Sequence, residues 1–259
     1  MSARLVDSMG NDSAIVQAAR VSYGAGTKSV SDDRALIRYL MRHKHTTPFE
    51  MVEFKFHIRA PIFVARQWLR HRTASVNEMS ARYSIVPDDY FLPEELRKQS
   101  MTRGQGGEEA LVGTVGSNLL RKQKASCDLA FLAYEELIRK GVSRELARCH
   151  LPQSTFTEFY WKINLHNLLH FLALRIEDHA QKEIRDLAKQ VYELIRPIVP
   201  VTCEAFEDFR LGSVTLTRLE VEALQKGERV IPGKGENSEF QEKISLLNIK
   251  DAVRQDGVV

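Results

Sequence analysis

The strictest constraint on the fold is the run from Met51 to Arg59, in which Val52, Phe54, Phe56 and Ile58 alternate with Glu53, Lys55, His57 and Arg59. A period of two puts each set on its own face of a strand. The segment must therefore lie in a sheet with one face on a core and the other toward solvent. A second strand is expected from Ser154 to Ile163, where Phe156, Phe159, Tyr160 and Trp161 keep company with two threonines. No Gly or Pro occurs from Gln153 to Arg196, so little interrupts regular structure there.

Helices are predicted around these strands. Asn11 to Arg20 and Ser31 to His43 read as helical, the second capped by Ser31 with Asp32 and Asp33 in its first turn, and Tyr23 to Val30 is the loop between them. Pro61 opens a helix at its first position and carries it to about His71, with Ile62, Ala65 and Leu69 on the apolar stripe and Gln67, Arg70 and His71 on another face. Pro87 to Gly107 is a long polar loop, and Glu108 to Lys140 is helical with a weak spot at Gly113 or Gly116. Ser143 caps a short helix to His150. Asn164 caps another through Leu174, and Asp178 is a cap for a helix to Arg196, one helix or two being open from sequence.

Composition removes several function classes. The chain has 259 residues, 43% hydrophobic, enough for one large domain with an appendage. Its formal charge of +3, from 37 basic and 34 acidic residues, is too small for a general nucleic-acid docking face, so any anion site is local. Cys127, Cys149 and Cys203 form no CxxC pair and leave one unmatched, as free thiols in a reducing compartment do. Met1 to Gly10 has no basic region followed by an apolar run, and no uncharged stretch approaches the ~20 residues of a bilayer span. A soluble cytoplasmic protein is expected.

Arg70 to Ser84 supplies the chemistry. It holds Arg70, Arg72 and Arg82 around the single carboxylate of Glu78 and has no lysine. Arginine without lysine points to bidentate recognition of phosphate or carboxylate; a surface loop with a basic run is the alternative. Gly104-Gln105-Gly106-Gly107 follows no strand and lacks dinucleotide spacing, and Gly233-Lys234 is followed by Gly235 where a P-loop needs Ser or Thr. His166 and His170 have the spacing of two helical metal ligands, but no Glu follows His166 as a zincin requires, so no metal is assigned. Cys149 and His150 point about 100° apart on a helix and make a poor nucleophile and base.

His45-Thr46-Thr47-Pro48-Phe49-Glu50, then Pro61 to Arg70, then Arg70-His71-Arg72 with seven residues before Ser80, and finally Leu174-Arg175 with Asp178-His179-Ala180-Gln181, resemble the flavin-dependent thymidylate synthases. The resemblance spans about residues 5 to 212. It implies an α/β (α+β) fold with a mixed central sheet and long helices, a homotetramer, and FAD as prosthetic group. The implied reaction is reductive methylation of dUMP to dTMP with methylenetetrahydrofolate and NADPH, with neither nucleic acid nor membrane as partner.

The resemblance also distributes residues between ligands. Gln67, Trp68, Leu69, Arg70, Glu78, Met79, Ser80, Ala81, Arg82, Arg148 and Arg175 match dUMP-contacting positions, Ser80 and nearby backbone N–H groups forming a nest for phosphate with Arg82. Arg175 matches the catalytic arginine, which stabilises negative charge on the uracil ring when N3 ionises; an ion pair with Glu177 or Asp178 is its structural alternative. Ser22, Thr47, Glu50, Arg70, His71, Arg72, Glu78, Asn164, His166 and His170 are similar to the FAD contacts, His170 standing where many relatives carry Asn. His45 and His71 fall on the face where folate or nicotinamide meets the flavin. The family domain is expected to be residues 1–212, with 213–259 as a C-terminal extension carrying helices near Thr217 to Gln225 and Ser238 to Leu247 and a turn at Ile231-Pro232-Gly233.

Overall fold

A computed structural model describes residues 1–21, 33–100 and 107–247. Ser22, the loop Tyr23 to Val30 and the Ser31 cap lie outside the described residues. The chain divides into two compact units, Met1–Arg210 and Leu211–Val259.

The first unit is built on strands β1 (Ser2–Met9), β2 (Glu53–Pro61), β3 (Ser75–Glu78) and β6 (Phe156–Asn164), ordered β1-β2-β6-β3. Every pairing among them is antiparallel, so the expected mixed sheet is in fact uniform. The alternation that marked Met51 to Arg59 operates as expected: Val52, Phe54, Phe56 and Ile58 are fully buried. Phe56 lies opposite Trp161, joining the two aromatic strands. The other face carries two ion pairs, Lys55 with Asp7 at 3.3 Å and Lys162 with Glu53 at 2.9 Å, and a contact of His57 with Glu158 at 3.1 Å. Edge strand β1 was not expected. A register shift between Leu5 and Asp7 sets two apolar residues, Leu5 and Val6, side by side and erases the period-two signal.

Helices α1 (Asp12–Val21), α2 (Asp33–Arg42), α3 (Thr47–Glu50), α4 (Ile62–Trp68), α7 (Leu165–Arg175), α8 (Lys182–Ile195) and α9 (Pro200–Phe206) complete this unit's main core. Asn11 accepts from the Ser13 N–H at 3.0 Å and starts α1. Pro61 closes β2 and stands at the N-cap of α4 with φ −66° and ψ 151°, one position before its expected place; α4 ends at Trp68, and Val64, Ala65 and Trp68 form its buried face. A strand running directly into a helix needs an extended residue at the junction, and proline suits that backbone. Asn164 caps α7 through the Asn167 N–H at 3.0 Å, as expected. Asp178 does not cap α8, whose N-cap is Gln181; Asp178 instead pairs with Arg185 at 3.1 Å. The region from Gln153 to Arg196 thus contains two helices separated by a turn.

The polar stretch after Pro87 is less irregular than expected. Tyr90 bridges Thr155, and β4 (Arg97–Gln99) pairs with β5 (Gly107–Ala110). The long helix α5 (Gly113–Arg139) therefore starts five residues beyond Glu108. Gly113 has φ +81° and begins it, while the Leu111 carbonyl lies where a side chain on Gly116 would go. Ser143 precedes α6 (Arg144–Ala147) without a side-chain cap bond, and a single 3₁₀ turn covers Arg148–His150.

Gly10 turns β1 into α1 at φ +81°. A Cβ there would meet Ala14 Cβ at 3.1 Å and Val52 Cγ2 at 3.3 Å. Gly10→Ala is expected to cost about 1–2 kcal/mol through backbone strain and crowding, read as a lower denaturant midpoint at unchanged m-value.

In the second unit α10 (Arg218–Gln225) opens on a capping box between Thr217 and Glu220, and α11 (Lys234–Leu246) begins four residues before the expected Ser238. Ala223, Ile231, Phe240 and Ile244 form its own small core. Lys243 reaches the buried Glu220 carboxylate at 2.8 and 3.0 Å.

Candidate functional site

The segment after α4 is placed by Trp68, which is fully buried and packs on Phe171 of α7 at 4.4 Å between ring centroids and on Trp161 of β6 at 5.1 Å. The next residues, Leu69 to Arg72, emerge beside the C-terminal end of α7. There the Nε of Arg175 donates to Nε2 of His71 at 3.1 Å. His71 also meets Phe171 edge-on and lies 6.2 Å from His170, centroid to centroid. Burial, then the positive charge of Arg175 and the neighbouring His170, pushes the His71 pKa down to about 4. A neutral imidazole can accept the guanidinium hydrogen bond, and an imidazolium cannot.

The expected alternative partners of Arg175, Glu177 and Asp178, are not used. Among the described residues no carboxylate pairs with Arg70, Arg72, Arg148 or Arg175. Burial and the charge of Arg70 both lower the Arg175 pKa, the mark of a cation held half-buried without its counter-ion. An arginine still keeps its proton there, so this corner is a standing positive charge with no internal anion.

The short strand β3 and the turn after it carry the rest of the signature. Glu78 is exposed and accepts from buried Thr157 at 2.6 Å. Ser80 Oγ accepts from the Arg82 N–H at 3.3 Å, while the Tyr83 and Ser84 N–H groups return to the Ser80 carbonyl. These three N–H groups are therefore spent within the turn, in place of the open backbone nest expected there. Arg82 pairs with Glu145 in the first turn of α6. Both partners are about half exposed, and such a pair holds together by less than about 1 kcal/mol, so a phosphate can displace the carboxylate.

A cleft of about 130 Å³ opens on the α2, α3 and α7 side, with Leu40, Met41, Phe49, Leu169 and Phe206 as apolar walls and Lys44, His45, His166, His170 and Arg210 as polar ones. His45 enters it because Lys44, at φ +59°, ends α2 in the left-handed conformation, with the Lys44 N–H on the Met41 carbonyl and the His45 N–H on that of Leu40. Thr47 and Glu50 lie on α3 nearby in sequence, and Phe49 between them lines the cleft. Burial lowers the pKa of His166, with Glu50 opposing. Asn164 has its oxygen committed to the α7 cap, which leaves its amide N–H₂ for a ligand. Among the described residues no group of three His, Cys, Asp or Glu is arranged to hold a metal, and no helix is long and apolar enough to cross a membrane.

One chain of hydrogen bonds was not anticipated. Gln67 Nε2 donates to Gln181 Oε1 at 2.5 Å, Gln181 Nε2 donates to Glu183 Oε2 at 2.8 Å, and Arg97 of β4 donates to Glu183 Oε1 at 2.7 Å. Glu183 is buried, 5% exposed. Its burial is not readable from a solvated-looking Lys-Glu-Ile-Arg sequence; only the helix phase of Glu183 with Ile184 and Leu187 could have signalled it.

Comparison with known proteins finds relatives over most of the chain. The sequence profile of the family described as thymidylate synthase complementing protein matches residues 4–201. A flavin-dependent thymidylate synthase of Dictyostelium discoideum is 57% identical over 239 residues, covering 91% of this chain and 78% of the relative. One from Thermus thermophilus is 56% identical over 222 residues, covering 86% and 81%. The UMP/dUMP methylase PolB of Streptomyces cacaoi, solved with 5-Br dUMP, superposes with a TM-score of 0.72 at 38% identity, covering 81% of this chain and 95% of that one. The chain belongs to the flavin-dependent thymidylate synthases.

Proposed function

We propose that this chain methylates dUMP to dTMP with FAD as prosthetic group, methylenetetrahydrofolate as carbon donor and NADPH as reductant. The observation that carries the reading is the His71–Arg175 hydrogen bond, which ties the segment after α4 to the end of α7 in a cationic corner where, among the described residues, no carboxylate pairs with Arg70 or Arg175. Arg82, Arg148 and the Ser80 hydroxyl hold the nucleotide phosphate. Arg175, fixed at Nε by neutral His71, turns its remaining N–H groups to the pyrimidine and stabilises the negative charge that makes C5 nucleophilic. No thiol serves as nucleophile: Cys127 and Cys203 are buried, burial pushes Cys203 up to about 12, and Cys149 donates to the Glu145 carbonyl at 3.2 Å.

The residues present fit FAD. Its diphosphate requires cations, which Arg70 and Arg72 offer, and its ring requires an apolar wall with N–H donors, which the cleft offers in Phe49, Leu169, His166 and His170. Thr47, Glu50, Glu78 and the Asn164 amide complete the donor and acceptor set. When bound, the flavin supplies the hydride chemistry that no side chain here can perform. His45 and His71 border the face left for folate or nicotinamide. A homotetramer that shares each site between chains accounts for the exposure of Arg72 and of all four residues of β3. Free thiols match a cytoplasmic setting.

The test is dTMP formation from dUMP, expected only when NADPH and methylenetetrahydrofolate are both present with the FAD-loaded protein. Formation without the folate, or none with everything supplied, overturns the reading. Arg72→Ala is expected to lower the flavin-to-protein absorbance ratio of the purified protein severalfold, because a charge-assisted phosphate contact contributes about 1.5–3 kcal/mol. An unchanged ratio removes Arg72 from the cofactor site.

A further inference from the structure

A carboxylate has no proton to donate, and that fact sets the direction of every hydrogen bond leading from Glu183 to Gln67. Burial alone pushes the Glu183 carboxyl up, but hydrogen bonds from Arg97, from its own backbone N–H and from Gln181 outweigh burial and hold it below its ordinary range. It is an ionised acceptor. Gln181 must therefore present its amide N–H₂ to Glu183, at 2.8 Å, and its oxygen to Gln67. Gln67 must in turn present its N–H₂ to Gln181, at 2.5 Å, which leaves its own carbonyl oxygen outward. Without this chain the two ends of the Gln67 amide could exchange by a simple flip.

We infer that Glu183 and Gln181 are positioning residues that fix Gln67 as a hydrogen-bond acceptor, so that it recognises a donor on the bound nucleotide. The inference rests on the proposed reading of Gln67 as a dUMP contact. dUMP owns two donors besides its phosphate, the 3′-hydroxyl and the ring N3–H. Arg97 has a different part. It supplies the strongest of the bonds that hold Glu183 ionised and ties β4 to α8, but it bonds to neither glutamine.

The separation of these roles gives the test, calorimetric titration of dUMP into the FAD-loaded protein. Gln181→Met, close in size and without hydrogen-bonding atoms, leaves the Arg97–Glu183 pair in place and is expected to weaken dUMP binding about tenfold, the loss of one oriented hydrogen bond. Glu183→Gln is expected to do the same, because a glutamine can face Gln181 either way round. The double exchange of Gln181→Glu with Glu183→Gln restores the order: the new amide donates to the new carboxylate, which accepts from Gln67. It is expected to recover binding, although Arg97 still lacks its carboxylate. In each weakened variant KM for dUMP should rise with kcat nearly kept.

Wild-type dUMP affinity in Gln181→Met overturns the inference, as does a folded double exchange that binds no better than Glu183→Gln. The analogues 2′,3′-dideoxy-UMP and N3-methyl-dUMP identify the donor, since the one lacking it should bind Gln181→Met and wild type alike. If both analogues still bind Gln181→Met more weakly than wild type, Gln67 does not read a nucleotide donor and the inference falls. Failure of the wild-type protein to bind dUMP at all strikes at the proposed function instead.

Discussion

Arg175→Ala is expected to lower the rate of dTMP formation by about 10²–10³-fold, the range for removing one preorganised donor from a site of developing negative charge. FAD should stay bound, because the flavin donors proposed above are other residues. The size of the effect follows from the surroundings. Arg175 is half-buried, repelled by Arg70, and held at Nε by His71 rather than by a carboxylate that would cancel its field. Arg175→Lys retains the charge but loses the planar fork and the Nε–H bond, so it should recover only part of the rate. Single-turnover dTMP formation measures both, and a wild-type rate in the alanine variant removes the catalytic role.

The same substitution has a signature in His71. Burial is the largest cause of the low His71 pKa and Arg175 the second, so in Arg175→Ala the pKa should rise from about 4 while staying below the ordinary 6.5. The sign for stability follows. Between about pH 6.5 and 4 the unfolded chain takes up a proton that folded His71 refuses, so His71 costs stability progressively as pH falls through that window. The variant should lose less there than wild type. Imidazole NMR titration and melting temperatures across pH 4–7 read the two effects independently.

How much of this was legible in the sequence depends on how far apart the partners lie. The alternation of β2, the aromatic character of β6 and the Asn164 cap are local, and each signal sits within a few residues. The failures are tertiary. Asp12 bonds the Val201 and Thr202 N–H groups of α9 at 2.8 and 3.1 Å, a cap supplied from the far end of the first unit that no local motif announces. Asp178 looked like a cap but Arg185 took it, and Gln181, quoted only as part of a motif, became the N-cap of α8 and a link to Gln67. In the site, the arginine cluster was legible from sequence as a candidate anion-binding surface. That its members, apart from Arg82, lack carboxylate partners among the described residues is a fact of geometry. Arg82, of the same residue type, is paired with the half-exposed Glu145, which no local motif announces.

Trp68→Ala is expected to be the most damaging single change to the fold, at about 3–5 kcal/mol, because it empties a fully enclosed aromatic site. The indole meets Trp161 at 77° and Phe159 at 69° in edge contacts and lies tilted on Phe171, so one truncation removes three aromatic pairs from the junction of α4, β6 and α7. For a unit of this size the melting temperature should fall on the order of 10 °C. Trp68→Phe separates packing from hydrogen bonding. Among the described residues the buried Trp68 Nε1 has no acceptor, so phenylalanine orphans no partner and costs only the smaller volume, about 1–2 kcal/mol. A phenylalanine variant as unstable as the alanine one would mean that Nε1 has a partner after all. Because Gln67, Arg70 and His71 flank this anchor in sequence, Trp68→Ala should also weaken dUMP binding at temperatures where the protein is still folded, and Trp68→Phe should largely preserve it.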